Sequence, residues 1–438
     1  MSTAQNLALV DQLLQPFYQQ NPSIHVKLIL SNGPTTETGL LTGAAAGTNP
    51  DVFHTWVVPT AQLENNILLD LMPYASKDNV DLSIFSSQQI GQLRAGSGLF
   101  GLPMYLGTVT VLINKSMLDS MGIAYPAQDW TYADWAQLAS ATTKKNATGT
   151  ATHGIDNISM QYMDEWQFQA FGGSILNPAD PTQCTLDAPG SIAATRWYAD
   201  LFASGAAIHA KTLFFQGQSF SRLAQSWELD FWLASLYRSG VDWDIMSLPT
   251  NPGYPGVTRS TSDYYGVSAA TKHGKESWEL VRYMGTAPAF AEGLIKTRLF
   301  TPALKSLWPQ FVTIINQVAP FTRGKNMAVR HAGGEQPRHP EPGISVRHRP
   351  GDGPHQYGHE QHPDREGGRH PVAAAVGRTD QRHATGRRAG GRRSRQQHQG
   401  LPGARCGGRD GAGRPVTRGA AWWPPHRGGH RATPPGPV

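Results

Sequence analysis

The stretch "GLFGLPMYLGTVTVLINKSMLDSMGIAYPAQDWTYADW", residues 98–135, decides the fold class. Glycine and proline near its start mark a turn, and the β-branched run from Val109 to Ile113 predicts a strand. The following residues, "NKSMLDSMG", predict a helix, and Thr131 with Asp134 forms an N-cap pair for a second helix at "YADWAQLA". A strand followed by helices is typical of α/β layers.

The same alternation continues on both sides of this stretch. Residues 4–19 carry apolar side chains at helical spacing, and "IHVKLIL", residues 24–30, alternates like a strand. A turn feeds a brief strand in "NPDVFHTW", residues 49–56, and further helices are predicted within residues 188–205 and 275–285. The first 330 residues therefore read as an α/β protein.

The chain divides into two parts of opposite charge. The 438 residues carry a net charge of +6, but residues 331–438 hold 18 Arg, no Lys and 8 acidic residues, which leaves residues 1–330 with a net of −4. The last part is also rich in Gly and Pro, so it cannot bury enough apolar area to offset the entropy lost on ordering. We predict a disordered tail.

The arginines of the tail do not have the composition of a nucleic-acid-binding arm. A phosphate-binding arm ordinarily uses Lys as well as Arg, and the tail's Tyr357, Trp422 and Trp423 are too isolated to stack on successive bases. Arg, Gly, Pro and Ala all have GC-rich codons, and we hypothesise a shifted reading frame after about residue 330. Any nucleic-acid binding is expected to be non-specific.

No pattern in the chain predicts an enzyme. The carboxylate pairs Asp164–Glu165 and Glu228–Asp230 resemble those that glycosidases need, but adjacent charges are usually solvated surface. The histidines before residue 331 show no metal-binding spacing, and no nucleophile elbow or phosphate loop is present. We expect no cofactor, no metal and no catalytic residue.

Several motifs occur together in a fixed order over residues 12–310. They include "FYQQNPSIHVKLI" (17–29), "GAAAGTNPDVF" (43–53), the stretch quoted first, and "SDYYGVSAATKHGKESWELVRYM" (262–284). In this order they resemble the extracellular solute-binding proteins of ABC importers, specifically the carbohydrate-binding group. Each motif alone is weak, but the ordered set is specific.

The resemblance implies an α/β, two-lobe periplasmic-binding-protein-like fold of type II with hinge crossings. Lobe 1 would comprise residues 4–106 and 259–325, lobe 2 residues 107–258, and the disordered tail residues 326–438. Its function would be to bind a sugar or oligosaccharide in the cleft without altering it and to deliver it to an ABC permease, as a monomer without specific nucleic-acid partners.

The sequence departs from the family pattern at both ends. Family members begin with a signal peptide and a strand before the first helix, and they are periplasmic or anchored at the cell surface. Here "MSTAQNLALVDQ" begins almost at that helix, so we expect a chain truncated at both ends, cytoplasmic as written and poorly soluble. The alternatives are a non-functional truncated product or a protein that binds polyanions through its tail.

The resemblance also suggests where the ligand would bind. Sugar sites combine an aromatic face for C–H groups with carboxylates, amides and N–H groups for hydroxyls. At the matching positions the candidate ligand-binding residues are Trp56, Tyr105, Thr108, Gly173, Trp227, Glu228, Asp263 and Tyr264. For Trp56 and Trp227, packing in the core remains an equal alternative, and the identity of the sugar stays open.

Overall fold

A computed structural model describes residues 3–29, 37–55, 62–63, 65–147, 149–158, 166–210, 212–254, 256, 258, 260–332 and 371–373. The helices are α1 Thr3–Gln20, α2 Glu37–Ala46, α3 Met72–Lys77, α4 Ser87–Gln92, α5 Lys115–Met121, α6 Tyr132–Thr142, α7 Pro189–Ala203, α8 Leu229–Ser239, α9 Gly274–Thr286, α10 Pro288–Arg298, α11 Trp308–Val318 and α12 Val329–Ala332. The strands are β1 His25–Lys27, β2 Val52–Thr55, β3 Arg94–Ala95, β4 Gly98–Leu99, β5 Leu102–Pro103, β6 Gly107–Asn114, β7 Lys144–Asn146, β8 Gly149–Asp156, β9 Leu176–Asn177, β10 Asp180–Cys184, β11 Ala207–Ile208, β12 Ser219–Gln225, β13 Trp243–Met246, β14 Ser260–Thr261, β15 Tyr264–Val267 and β16 Pro371–Ala373.

The strand predicted at residues 109–113 is the centre of the larger sheet. It forms β6, whose eight residues are all buried, in a sheet of order β11-β8-β12-β6-β13 with β14 added to β6 and β7 to β8. The Asn114 side chain accepts a hydrogen bond from the Met117 amide at 2.9 Å and so begins α5. Thr131 and Asp134 form the predicted capping box at the start of α6.

Strand β6 has a different hydrophobic core on each face, because successive side chains of a strand point in opposite directions. Val109, Val111 and Ile113 pack in one cluster with Trp135 and other aromatic residues. Leu112, on the opposite face, belongs to a second cluster that continues into the smaller sheet and its helices. Both faces of the larger sheet are therefore covered, which confirms the α/β fold class.

The smaller sheet contains three antiparallel strands in the order β2-β15-β5. Helix α9 packs beside it and buries Trp278, Leu280 and Val281 on its inner face. Strand β1, shorter than the predicted 24–30 strand, pairs in parallel with β16. The two sheets with their helices form two α/β units, as the type II fold requires.

Two short crossing segments connect the sheets side by side. Residues 104–106 lead from β5 to β6, and residues 262–263 lead from β14 back to β15. The Met104 amide donates to the Asp263 carbonyl at 2.8 Å, and the Ser262 hydroxyl donates to the Tyr105 carbonyl at 2.7 Å. The predicted hinge crossings are thus bonded to each other.

The predicted tail begins seven residues too early. Residues 326–332 pack against the larger sheet: the Asn326 amide donates to Asp244 at 2.8 Å, and Met327 and Arg330 are fully buried. The buried side chain of Met327 and the short helix α12 hold this segment in place. Composition alone did not predict this packing. No helix in the described part of the chain has the length and apolar character needed to cross a membrane.

Candidate functional site

A cluster of three polar side chains lies where the crossing segments leave the smaller sheet. The Tyr105 hydroxyl donates to Asp263 Oδ1 at 2.9 Å, and His54 Nε2 lies 2.8 Å from Asp263 Oδ2. Tyr105 and Asp263 come from the two crossings, and His54 comes from β2. Residues separated by up to 209 positions in the sequence therefore meet at one point, which we call the Tyr105–Asp263–His54 cluster.

Tyr105 is fixed by contacts on every side. Its ring stacks on Phe300 with centroids 4.5 Å apart. Its carbonyl accepts hydrogen bonds from Gln89 Nε2 at 3.0 Å and from the Ser262 hydroxyl. The tyrosine is buried, so its hydroxyl serves to orient the Asp263 carboxylate.

Access to solvent increases along the cluster. The side chain of Asp263 is 18% exposed and that of His54 is 40% exposed. Sequence reasoning predicted Tyr105 and Asp263 but missed His54, because its contact with Asp263 depends on the antiparallel register that sets His54 opposite Tyr265. The only available signal was its position near the end of the "PDVFHTW" strand, two residues before the predicted Trp56. Trp56 itself lies outside the described residues.

Thr108 has its hydrogen-bonding groups occupied within the protein. Its hydroxyl donates to the Arg330 carbonyl at 2.8 Å, and its amide donates to the Ser226 hydroxyl at 2.9 Å. Because the residue is also buried, it is part of the packed larger sheet and is closed to a solute in this conformation.

Glu228 faces a buried arginine. Its Oε2 lies 3.4 Å from Arg222 Nη2, and Arg222 Nη1 lies 4.0 Å from Asp156. Burial lowers the pKa of Arg222 and raises that of the Asp156 carboxyl. Glu228 thus balances an internal charge, although its side chain remains 31% exposed. Its neighbour Trp227 is half-buried against the core of the larger sheet.

Gly173 and Tyr264 serve packing. A β-carbon at Gly173 would collide with the backbone and side chain of Ser191 at the start of α7, so glycine permits this close approach. Tyr264 is almost fully buried, and burial raises the pKa of its hydroxyl. Tyr264 thus lies inside the fold, whereas Gly173 is partly exposed, and contact of either residue with a ligand stays a prediction.

The site therefore consists of one assembled part and one open part. Tyr105 and Asp263, joined by His54, form the assembled part on the smaller sheet. Trp227 and Glu228, which follow β12, are the partly exposed predicted residues on the larger sheet. Among the described residues, no group of three or more His, Cys, Asp or Glu side chains is placed to hold a metal ion.

Comparison with known proteins relates this geometry to a family. The sequence model of the bacterial extracellular solute-binding proteins matches residues 2–289. A similar structure is the ABC substrate-binding protein Lmo0181 from Listeria monocytogenes in complex with cycloalternan, with 22% identity, a TM-score of 0.63, and 74% of this chain and 83% of that chain covered.

Two further solved structures have the same fold. The sugar-binding protein MalE from Xanthomonas citri is 22% identical, with a TM-score of 0.59 and coverage of 73% of this chain and 82% of that chain. UgpB from Mycobacterium tuberculosis, in complex with glycerophosphocholine, is 18% identical, with a TM-score of 0.59 and coverage of 73% and 83%. These likenesses establish the two-unit fold.

Proposed function

Because this chain belongs to the bacterial extracellular solute-binding protein family, we propose that it binds a sugar or oligosaccharide between its two α/β units and delivers it to an ABC permease. Like the other members of this family of solute-binding proteins, it is a binding protein and not an enzyme. We assign residues 4–106 with 259–325 to one lobe and 107–258 to the other, and we infer that the protein acts as a monomer.

The observation that carries this proposal is the Tyr105–Asp263–His54 cluster beside the crossing segments. Ligand sites in α/β proteins form at strand ends and between domains, and they contain a few fixed polar groups. Asp263 and His54 are fixed, partly exposed and able to hydrogen-bond a hydroxyl. The sugars bound to similar proteins, such as cycloalternan, agree with this chemistry.

The crossing segments also suggest how the ligand would be enclosed. Two connections of three and two residues, bonded to each other, would let the lobes rotate about one line while each lobe stays rigid. Closure would bury the solute and create the surface that a permease recognises. Trp227 and Glu228 would then approach the solute from the second lobe.

A ligand panel tests the proposal. Thermal unfolding is followed with maltose, cellobiose, trehalose, xylobiose or raffinose, and binding is measured by calorimetry. A ligand at about one hundred times its Kd should raise Tm by roughly 2–4 °C. Glycerophosphocholine is included because a similar structure holds it. A rise in Tm with that compound alone would mean that the ligand is a phosphodiester and not a sugar. Chemical turnover of a sugar would contradict the binding role.

A further inference from the structure

We propose that His54 contacts the ligand directly, that Asp263 and Tyr105 orient its ring, and that this arrangement selects solutes offering a hydroxyl donor over acidic solutes. The inference rests on the proposed function and names a further residue of the same site. It changes the predicted roles of Tyr105 and Asp263 from ligand contacts to positioning residues.

The first argument is the order of exposure. Tyr105 is 4% exposed, the Asp263 side chain 18% and the His54 side chain 40%. Each group in the cluster bonds the next, at 2.9 Å and 2.8 Å. A solute therefore meets the histidine first, while the tyrosine lies behind the carboxylate.

The second argument is rigidity. His54 lies in β2, paired with Tyr265 of β15, and the Asp263 carbonyl is held by the Met104 amide. Tyr105 is fixed by its stacking on Phe300. A ring that is already oriented loses little conformational entropy when a ligand binds, so its hydrogen bond contributes more to affinity.

The third argument is the placement of protons. A carboxylate accepts hydrogen bonds and donates none, so the His54 nitrogen that faces Asp263 carries the hydrogen. In the neutral ring the other nitrogen, Nδ1, then has a lone pair. Nδ1 makes no hydrogen bond to any described part of the chain. Its natural partner is an O–H group.

The selectivity follows from the same placement. A hydroxyl can donate to Nδ1, whereas a carboxylate or phosphate offers only acceptors and would also meet the negative charge of Asp263. A neutral saccharide with a free hydroxyl at this position fits the site. A sugar acid with a carboxylate there does not.

Two substitutions separate contact from support. His54→Gln can keep a nitrogen near Asp263 but removes the Nδ1 acceptor, and His54→Ala removes both. For the panel sugar that binds wild type most tightly, we expect both variants to weaken binding by about tenfold or more. His25→Ala, at an exposed histidine on β1, is the matched control and should bind like wild type.

Nuclear magnetic resonance provides a readout that a structural role would not change. In ¹⁵N-labelled wild type, adding the sugar should shift the His54 Nδ1 resonance. Asp263→Asn and Tyr105→Phe should change the ring's tautomer population before any ligand is added. A deoxy analogue that lacks the contacting hydroxyl should lose affinity for wild type but not for His54→Ala.

The outcomes distinguish this inference from the proposed function. If wild type binds a panel sugar and either His54→Ala or His54→Gln keeps its affinity within twofold, the contact role of His54 is wrong and the proposed function stands. If no panel sugar binds wild type, the proposed function and this inference both fail. Equal binding of a sugar and its uronic acid would overturn the selectivity.

Discussion

Single residues show both what the sequence could predict and what it could not. Tyr105 and Asp263 were identified because family motifs place them on the crossings, and the structure brings them within 2.9 Å. His54 could not be identified, because a register between β2 and β15 is a long-range property that no local pattern contains. Thr108 and Tyr264 have the correct chemistry but point into the fold.

Arg330 is a buried charge with few hydrogen-bond partners among the described residues. It is fully buried, donates to the Thr110 hydroxyl at 3.3 Å and lies over the Trp232 ring at 5.4 Å. Its Nε and Nη2 atoms have no hydrogen-bond partner among the residues that the structure describes. Burial lowers the pKa of its guanidinium to about 9, so keeping this charge inside costs stability.

Arg330→Met should therefore stabilise the protein. Methionine has a similar length and needs no counter-charge, and replacing a buried charge by an apolar side chain can add about 1–4 kcal/mol. The free energy of unfolding is measured by urea titration at pH 7. Arg323→Met, at an exposed position, should change it little, and a loss of stability in Arg330→Met would contradict the prediction.

The pH dependence has a definite sign. The unfolded chain keeps the arginine protonated, while the folded state releases the proton near pH 9. Above that pH the unfolded state binds more protons, so the contribution of Arg330 to stability becomes less unfavourable as pH rises. The difference in unfolding free energy between Arg330→Met and wild type should shrink from pH 8 to pH 10. A constant difference would contradict this cause.

At the scale of elements, local signals predicted the helices well and the strands less well. The helix predicted at residues 4–19 is Thr3–Gln20, and the predicted N-cap at Thr131 begins α6. The strand predicted at 24–30 shortens to His25–Lys27. Capping is decided within four residues, whereas a strand extends only as far as its neighbour pairs with it.

Thr131→Ala should destabilise α6 by about 1 kcal/mol, because the capping hydroxyl that accepts from the Asp134 amide is lost. Thr131→Ser keeps that hydroxyl and should stay close to wild type. The Thr131 side-chain bond lowers the pKa of Asp134, so the cap's contribution should fade as the solution is acidified through that pKa. Urea unfolding followed from pH 7 down to pH 2 measures both effects.

The Asp156–Arg222–Glu228 group joins β8, β12 and the turn that follows β12. Arg222→Met would leave Asp156 buried without its counter-charge, at a cost of about 3–5 kcal/mol. Adding Asp156→Asn removes the stranded charge and should recover much of that loss. A double-mutant cycle by urea unfolding measures the coupling, and purely additive effects would show that the two charges do not interact.

At the scale of the whole molecule, the charge division of the sequence has a structural boundary. Residues 326–332 are packed on the larger sheet through Asn326, Met327 and Arg330. Residues 326–332, which we had assigned to the tail, therefore belong to the packed body. Composition averages over many residues and cannot place an edge that one buried side chain decides.

Removal of residues 374–438, which keeps β16, should therefore leave sugar affinity unchanged while abolishing retention on heparin. The deleted part carries the excess of arginine, and polyanion binding through it should fall steeply with salt. Calorimetry with the panel sugar and elution from a heparin column give the two readouts. A drop in sugar affinity on deletion would mean that the tail contributes to the site.

The pairing of the two crossings bears on the order of events that we expect during ligand capture. Tyr105 and Asp263 belong to the segments about which the lobes would rotate. Atoms close to a rotation axis are displaced least. The Tyr105–Asp263–His54 cluster would therefore keep its geometry in both the open and the closed arrangement of the lobes. A solute would then bind first to the lobe that carries His54, and closure of the other lobe would follow and retain it.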